Sequence, residues 1–159
     1  MELPIYQRDS NGQYRQFYVT KLRINYRSHE AILRIASELF YDSELIPGVL
    51  PSHFNISRFE SLLPNKDIPI LVKNITNGKE QRIEGSFSWY NPAELMQVLC
   101  TTRQIISAGL NAAQIGIISP YRQQVKEIRK ILSLAALGSI KVGTTEEFQG
   151  KAIYNIWIC

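Results

Sequence analysis

The run Ile115-Gly116-Ile117-Ile118, closed almost at once by Pro120, constrains this chain more than any other stretch. Successive strand residues point to opposite faces of a sheet, so an unbroken apolar run must be covered on both. Such a strand belongs to the interior of a parallel sheet, and parallel strands need a crossover element between them. Both flanks supply one. Upstream, Asn91-Pro92-Ala93-Glu94 is a helix start: Asn91 can cap, Pro92 pre-sets the first helical residue and Glu94 can reach back to the cap. Leu95, Leu99, Thr102 and Ile106 then share one face, and Gly109 ends the helix. Cys100 falls within this apolar pattern and is expected in the core. Downstream, a helix from Gln123 to Leu137 turns Val125, Ile128, Leu132, Ala135 and Ala136 inward and is closed by Gly138. Ile140 to Thr144 reads as the next strand, and Ala152 to Ile158 alternates as one more.

The same alternation governs the N-terminal third. Tyr18 to Ile24 reads as a strand, and Glu30 to Tyr41 sets Ile32, Leu33, Ala36, Leu39 and Phe40 at helical spacing. Ser28 is placed to cap that helix, with Glu30 in the first turn where the helix dipole favours negative charge. Pro47, Gly48 and Pro51 make residues 47 to 67 a loop, Ile68 to Val72 reads as a short strand, and residues 73 to 90 as a surface excursion. The pattern specifies a single α/β domain over residues 1–159, with a mostly parallel sheet and helices on both faces. Its last residue, Cys159, falls inside an apolar strand with no following helix, so a domain truncated at its C-terminal end is expected.

Composition narrows the class of function. Apolar residues make up 45% and charged residues 20%, the balance of an ordinary globular domain. No apolar run is long enough to cross a bilayer, and the opening residues lack the pattern of a signal peptide. Two cysteines give no disulfide framework and fit a reducing compartment. The net charge of +4, with Arg8, Arg15, Lys21, Arg23 and Arg27 near the start, suits a polyanionic partner or a solvated basic face.

Few residues carry chemistry by themselves. Arg27 stands just before a predicted helix start, where free N–H groups and a planar guanidinium attract phosphate; it can equally pair with a nearby carboxylate. Tyr26 offers a ring on which a base could stack, or a core residue. His29 and His53 lack the partners of a metal site, and read as surface or capping residues. Glu146 and Glu147 are adjacent and read as a solvated pair rather than a catalytic one.

A resemblance joins these pieces. The segment from Leu22 to His29, with Ile32-Leu33 and Leu39-Phe40-Tyr41, is similar to the region after the Walker B motif of Upf-like superfamily-one helicases. The stretches from Ile115 to Gln124 and from Val142 to Gly150 resemble the two motifs that follow, in family order. Leu3-Pro4-Ile5-Tyr6-Gln7-Arg8-Asp9 resembles the Moloney-leukaemia-virus-ten and Armitage branch, RNA helicases of post-transcriptional silencing, the latter of the piRNA pathway.

The resemblance implies the second RecA-like domain, of the P-loop NTPase type, of an ATP-dependent 5′ to 3′ RNA helicase. Arg27 would be catalytic and touch the γ-phosphate of ATP between two such domains, with Tyr26 near the base. Gln149 and Gly150 would join the nucleotide side to the RNA side, although Gly150 also suits any tight turn. Pro120, Tyr121, Thr144 and Thr145 would follow the backbone of single-stranded RNA; on their own, the two threonines read equally as β-branched strand residues. The implied partners are the first RecA-like domain and silencing-pathway proteins, in cytoplasmic ribonucleoprotein or germ granules.

Departures qualify this reading. Ala152 stands where relatives carry a glutamate that meets the nucleotide ribose, and alanine cannot accept that hydrogen bond. The chain holds no phosphate loop and no Walker B acidic pair. ATP and magnesium would therefore bind only together with the first motor domain, and the isolated chain is expected to lack ATPase and unwinding activity. The rival reading is a non-catalytic module that binds RNA or a protein partner.

Overall fold

The computed structural model describes residues 4, 7–12, 14, 17–50, 60–149 and 155–158, the last four by their main chain. The chain divides into two compact units, Met1–Phe54 and Asn55–Cys159.

In the first unit, β1 (Ile24–Asn25) pairs in parallel with β2 (Ile46–Pro47), and α1 (Glu30–Phe40) connects them. The strand expected over Tyr18–Ile24 shrinks to its last residue and Asn25, because only these meet a partner strand. Alternation alone does not make a strand without a ladder to join. Pro47, expected in a loop, instead closes that ladder. The N-cap of α1 is His29 and not Ser28. The cause lies upstream: Asn25 Oδ1 accepts the N–H groups of both Arg27 and Ser28, at 2.9 and 2.8 Å. This turn carries the chain one residue further, and His29 Nδ1 accepts from Ala31 N. Of the apolar set expected on α1, Leu33 is buried and Ala36 half-buried, while Ile32, Leu39 and Phe40 are exposed.

In the second unit, β5 (Ile115–Ile118) is central to a parallel sheet of order β6-β5-β7, with β6 at Lys141–Gly143 and β7 at Asn155–Ile158. All four β5 residues are buried, so both faces are covered as the apolar run requires. The mostly parallel α/β architecture stands. The core joins β5 and β6 to α2 (Pro92–Ser107) and α3 (Arg122–Leu134) through Leu95, Leu99, Ile105, Ile117, Ile128 and Val142. On α2 the buried face includes Thr101 and Ile105 beside the expected Leu95, Leu99 and Thr102. Cys100, expected in the core, is exposed, since it falls on the opposite side of the helix from Leu95, Leu99 and Thr102.

Local chemistry explains the remaining differences. Ile68–Val72 is not a strand: Ile70 N bonds Ile68 C=O at 2.8 Å, a three-residue turn that satisfies the backbone locally. Residues 73 to 90 contain a small antiparallel hairpin, β3 (Gln81–Arg82) with β4 (Trp89–Tyr90). The expected strand over Ala152–Ile158 is described from Asn155 onward, residues 151–154 lying outside the described residues, as do residues 51–59 with His53.

The α3 helix ends at Leu134 instead of Leu137, and Gly138 plays no part in the stop. Ala136 takes φ +58°, with Leu137 N bonded to Leu132 C=O and Ala136 N to Ser133 C=O. That is the left-handed helix stop usually given to glycine, and it leaves Ala136 exposed rather than inward. At the end of α2, the same bonds form around Gly109, at φ +95°. Replacing Ala136 by glycine removes a Cβ strained at positive φ, so Ala136→Gly is expected to stabilise the chain by about 0.5–1 kcal/mol. Urea unfolding of the two chains checks this.

Candidate nucleotide and nucleic-acid sites

The first candidate site lies in the turn between β1 and α1. Asn25 folds its side chain over the next residues, which spends the Arg27 backbone N–H on a local bond. The Arg27 guanidinium makes no hydrogen bond or ion pair with the described residues, so the carboxylate partner it could have had is not found there. Tyr26 is 73% exposed, so the alternative of a core tyrosine is excluded. Its ring lies close to Gly48, where a Cβ would meet Tyr26 Cδ1 and Cε1 at 2.8 and 2.9 Å. The lack of a side chain at Gly48 thus lets the ring lie against the backbone. An arginine with no side-chain partner among the described residues, next in sequence to an exposed ring and ahead of a helix start, suits a nucleotide phosphate and base.

The second candidate site lies at the carboxyl ends of β5 and β6. These strands run parallel with Ile118 opposite Gly143, and Ser119 N extends the ladder to Gly143 C=O at 3.1 Å. Pro120 and Tyr121 leave one strand beside Thr144 and Thr145, which leave the other. In parallel α/β sheets this edge is where ligands bind. Pro120, Tyr121 and Thr145 are exposed and Thr144 is half-buried. The threonines are not simple strand residues: Thr144 precedes, and Thr145 begins, the short helix α4 (Thr145–Phe148). Gln149 follows, exposed; Gly150, Lys151 and Ala152 lie outside the described residues.

Arg129, not singled out in the sequence, and Gln124, the last residue of the Ile115–Gln124 motif, hold the surrounding elements in place. Arg129 donates to Val142 C=O from Nε and Nη2, at 3.0 and 2.6 Å, and pairs with Glu147 at 2.8 Å. It therefore ties α3 to both the end of β6 and α4. Gln124 is 2% exposed; its Oε1 accepts from Asn91 N at 2.8 Å and its Nε2 donates to Glu94 Oε2 at 3.0 Å. This takes the cap N–H expected to meet Glu94, whose other oxygen accepts instead from Asn91 Nδ2. The signal for Gln124 was its place at the end of the Ile115–Gln124 motif, at the start of an amphipathic helix. Glutamine buried there needs partners on both ends of its amide.

Glu146 and Glu147 do diverge. Glu147 pairs with Arg129, while Glu146 is exposed beside Thr144. Hydrogen bonds from the Thr144 hydroxyl, then from its own backbone, hold the Glu146 carboxyl below the usual range, with smaller help from Thr145 and the charge of Arg122. The described residues contain no group of three or more His, Cys, Asp or Glu able to hold a metal ion. His29 serves as a helix cap.

Comparison with known proteins identifies the family. Residues 5–158 match the family model described as an AAA domain, and the chain belongs to this family, within the superfamily-one helicases. It is 43% identical over 95% of its length to the human RNA helicase Mov10l1, of which it covers 13%. It is 38% identical to the probable RNA helicase armi of Drosophila melanogaster, over 90% of this chain and 13% of that one. The putative helicase MOV-10 of Gallus gallus is also 38% identical, over 92% of this chain and 17% of that protein. These relatives set it in the Upf-like branch of Moloney-leukaemia-virus-ten and Armitage, as a segment spanning less than a fifth of their length.

Two outcomes test the strand-end geometry. A Cβ at Gly143 would collide with the Glu147 carboxylate and meet Phe148 Cε2 at 3.1 Å, and Phe148 is buried. Gly143→Ala is therefore expected to cost about 1–3 kcal/mol in denaturant unfolding, as overpacking does. Thr144→Val removes the main donor to Glu146, so the carboxyl titration followed by NMR should move up towards the ordinary range. The sign follows from the lowered value: the contribution is present above the unfolded-state pKa and is lost as pH falls through the folded one.

Proposed function

We propose that this chain is part of the second RecA-like motor domain of an ATP-dependent RNA helicase, with both compact units belonging to that one domain. The observation that carries the proposal is the strand edge where Pro120-Tyr121 and Thr144-Thr145 emerge side by side from adjacent parallel strands. Single-stranded RNA would lie along it, held chiefly through its backbone by hydroxyl and main-chain groups.

Arg27 is the proposed catalytic residue. Its guanidinium, without a partner among the described residues, can donate to the γ-phosphate of ATP and offset negative charge as the phosphoryl group leaves. Tyr26 would pack near the base, and Gln149 with Gly150 would link the nucleotide side to the RNA side. The donors described here fit a phosphate and a base, and include no carboxylate set for magnesium. Magnesium, when bound, would shield phosphate charge, using ligands from the first RecA-like domain. The 5′ to 3′ direction, silencing-pathway partners and cytoplasmic granules belong to the same proposal and rest on the relatives.

Two measurements test it. The 159-residue chain alone is expected to show no ATP hydrolysis above background. In a polypeptide where a first RecA-like domain with a phosphate loop precedes it, RNA-stimulated hydrolysis should appear, and Arg27→Ala should lower kcat by roughly a thousandfold. RNA binding that persists with no hydrolysis in the two-domain protein, and no effect of Arg27→Ala, would instead establish a non-catalytic binding module.

A further inference from the structure

We infer that the β3–β4 hairpin and the turn after β5 form a cleft that stacks unpaired bases of single-stranded RNA. This inference deepens the proposed RNA-binding reading of the strand edge and rests on it. The cleft is open, with a volume of about 730 Å³, and includes Phe87, Trp89, Pro120 and Tyr121. Phe87 is 94% exposed, Tyr121 55% and Trp89 44%. Exposing one large ring is common, but three rings around one cleft call for a flat apolar occupant.

Charge indicates what else the occupant carries. Arg122 and Lys126 line the cleft, with Glu84 as the single acid among its lining residues. The Arg82 guanidinium lies 5.5 Å from the Phe87 ring centre and 5.8 Å from that of Trp89. Rings interleaved with cations match a chain of bases on phosphates, where stacking and charge neutralisation act together. An aliphatic or acidic peptide would use only one half of this surface.

The hairpin is built to hold the rings there. Gly85 takes φ +80° in a turn closed by Ser86 N to Ile83 C=O at 2.9 Å, and Arg82 Nε donates to Ser86 C=O across it. Ser86 Oγ donates to Gln123 Oε1 at 3.2 Å, and Gln123 N to Ser88 Oγ at 3.1 Å. The hairpin is thus pinned to the first turn of α3, directly after Tyr121. Rings fixed on such a support lose little freedom when a base stacks on them.

The test uses the 159-residue chain carrying Trp157→Phe, which leaves Trp89 as its one indole. The probes are a short oligouridylate and an abasic ribose-phosphate oligomer of equal length and charge. Oligouridylate is expected to quench Trp89 emission and to bind about tenfold tighter than the abasic oligomer. Phe87→Ala and Phe87→Leu should each erase most of that difference, and Phe87→Tyr should keep it, with far-UV circular dichroism unchanged because Phe87 is exposed. Lys126→Ala should instead reduce the salt dependence of binding by about one unit of slope.

Equal affinity for both oligomers, with the Phe87 variants silent but Tyr121→Ala still weakening binding, would overturn base stacking and leave the backbone groove intact. Failure to bind either oligomer would overturn both readings. A concentration-dependent shift in Trp89 emission without RNA, abolished by Phe87→Ala, would assign the rings to contact between copies of the chain and overturn the inference.

Discussion

The second unit depends on the need to cover β5 on both faces. Ile115 and Ile117 point one way and Gly116 and Ile118 the other, and all four are buried. Two parallel neighbours, β6 and β7, satisfy its backbone. Parallel pairing puts the C-terminal ends of β5 and β6 at the same edge, and so brings Pro120-Tyr121 beside Thr144-Thr145. The candidate RNA edge is a consequence of this strand being central, before any individual side chain is considered.

Side chains with no evident catalytic use then fix that edge. Arg129 reaches from α3 to the carbonyl of Val142 and to Glu147, so the helix that covers the sheet also sets where β6 ends and α4 begins. Gln124, in the first turn of the same helix, holds the start of α2 through Asn91 and Glu94. Glycine at 143 lets Glu147 and Phe148 fold back against the strand. In the first unit Asn25 has the corresponding role, capping the turn that carries Arg27. At the first place the local backbone bonds are taken by Asn25, and at the second the threonine hydroxyls are held by Glu146 at the surface.

Much of this was legible in the sequence where a residue's role is local. Asn91 and Pro92 start α2 as expected, Gly109 stops it, and the run from Ile115 to Ile118 is a strand buried on both faces. Legibility failed where a residue's state depends on a partner far along the chain. Tyr18–Ile24 alternates like a strand but has a partner only at its end, and Ile68–Val72 is apolar but closes a local turn. Cys100 belongs to an apolar sequence pattern but falls on the exposed side of its helix. The aromatic pair at Phe87 and Trp89 read as part of a surface excursion, because nothing local signals that a hairpin will be tied to the start of α3.

The sequence by itself determined the mostly parallel α/β class and the family motifs, and it named Arg27, Tyr26, Pro120, Tyr121, Thr144, Thr145, Gln149 and Gly150 as candidates. These follow from periodicity, caps and short-range residue patterns, which act over a few residues. Tertiary structure alone decided that Tyr26 is exposed, that Glu146 and Glu147 part company, and that Phe87, Trp89 and Tyr121 surround one cleft. Exposure, pairing and convergence are properties of the space between elements. They are set only when the parallel sheet and its helices bring distant residues together.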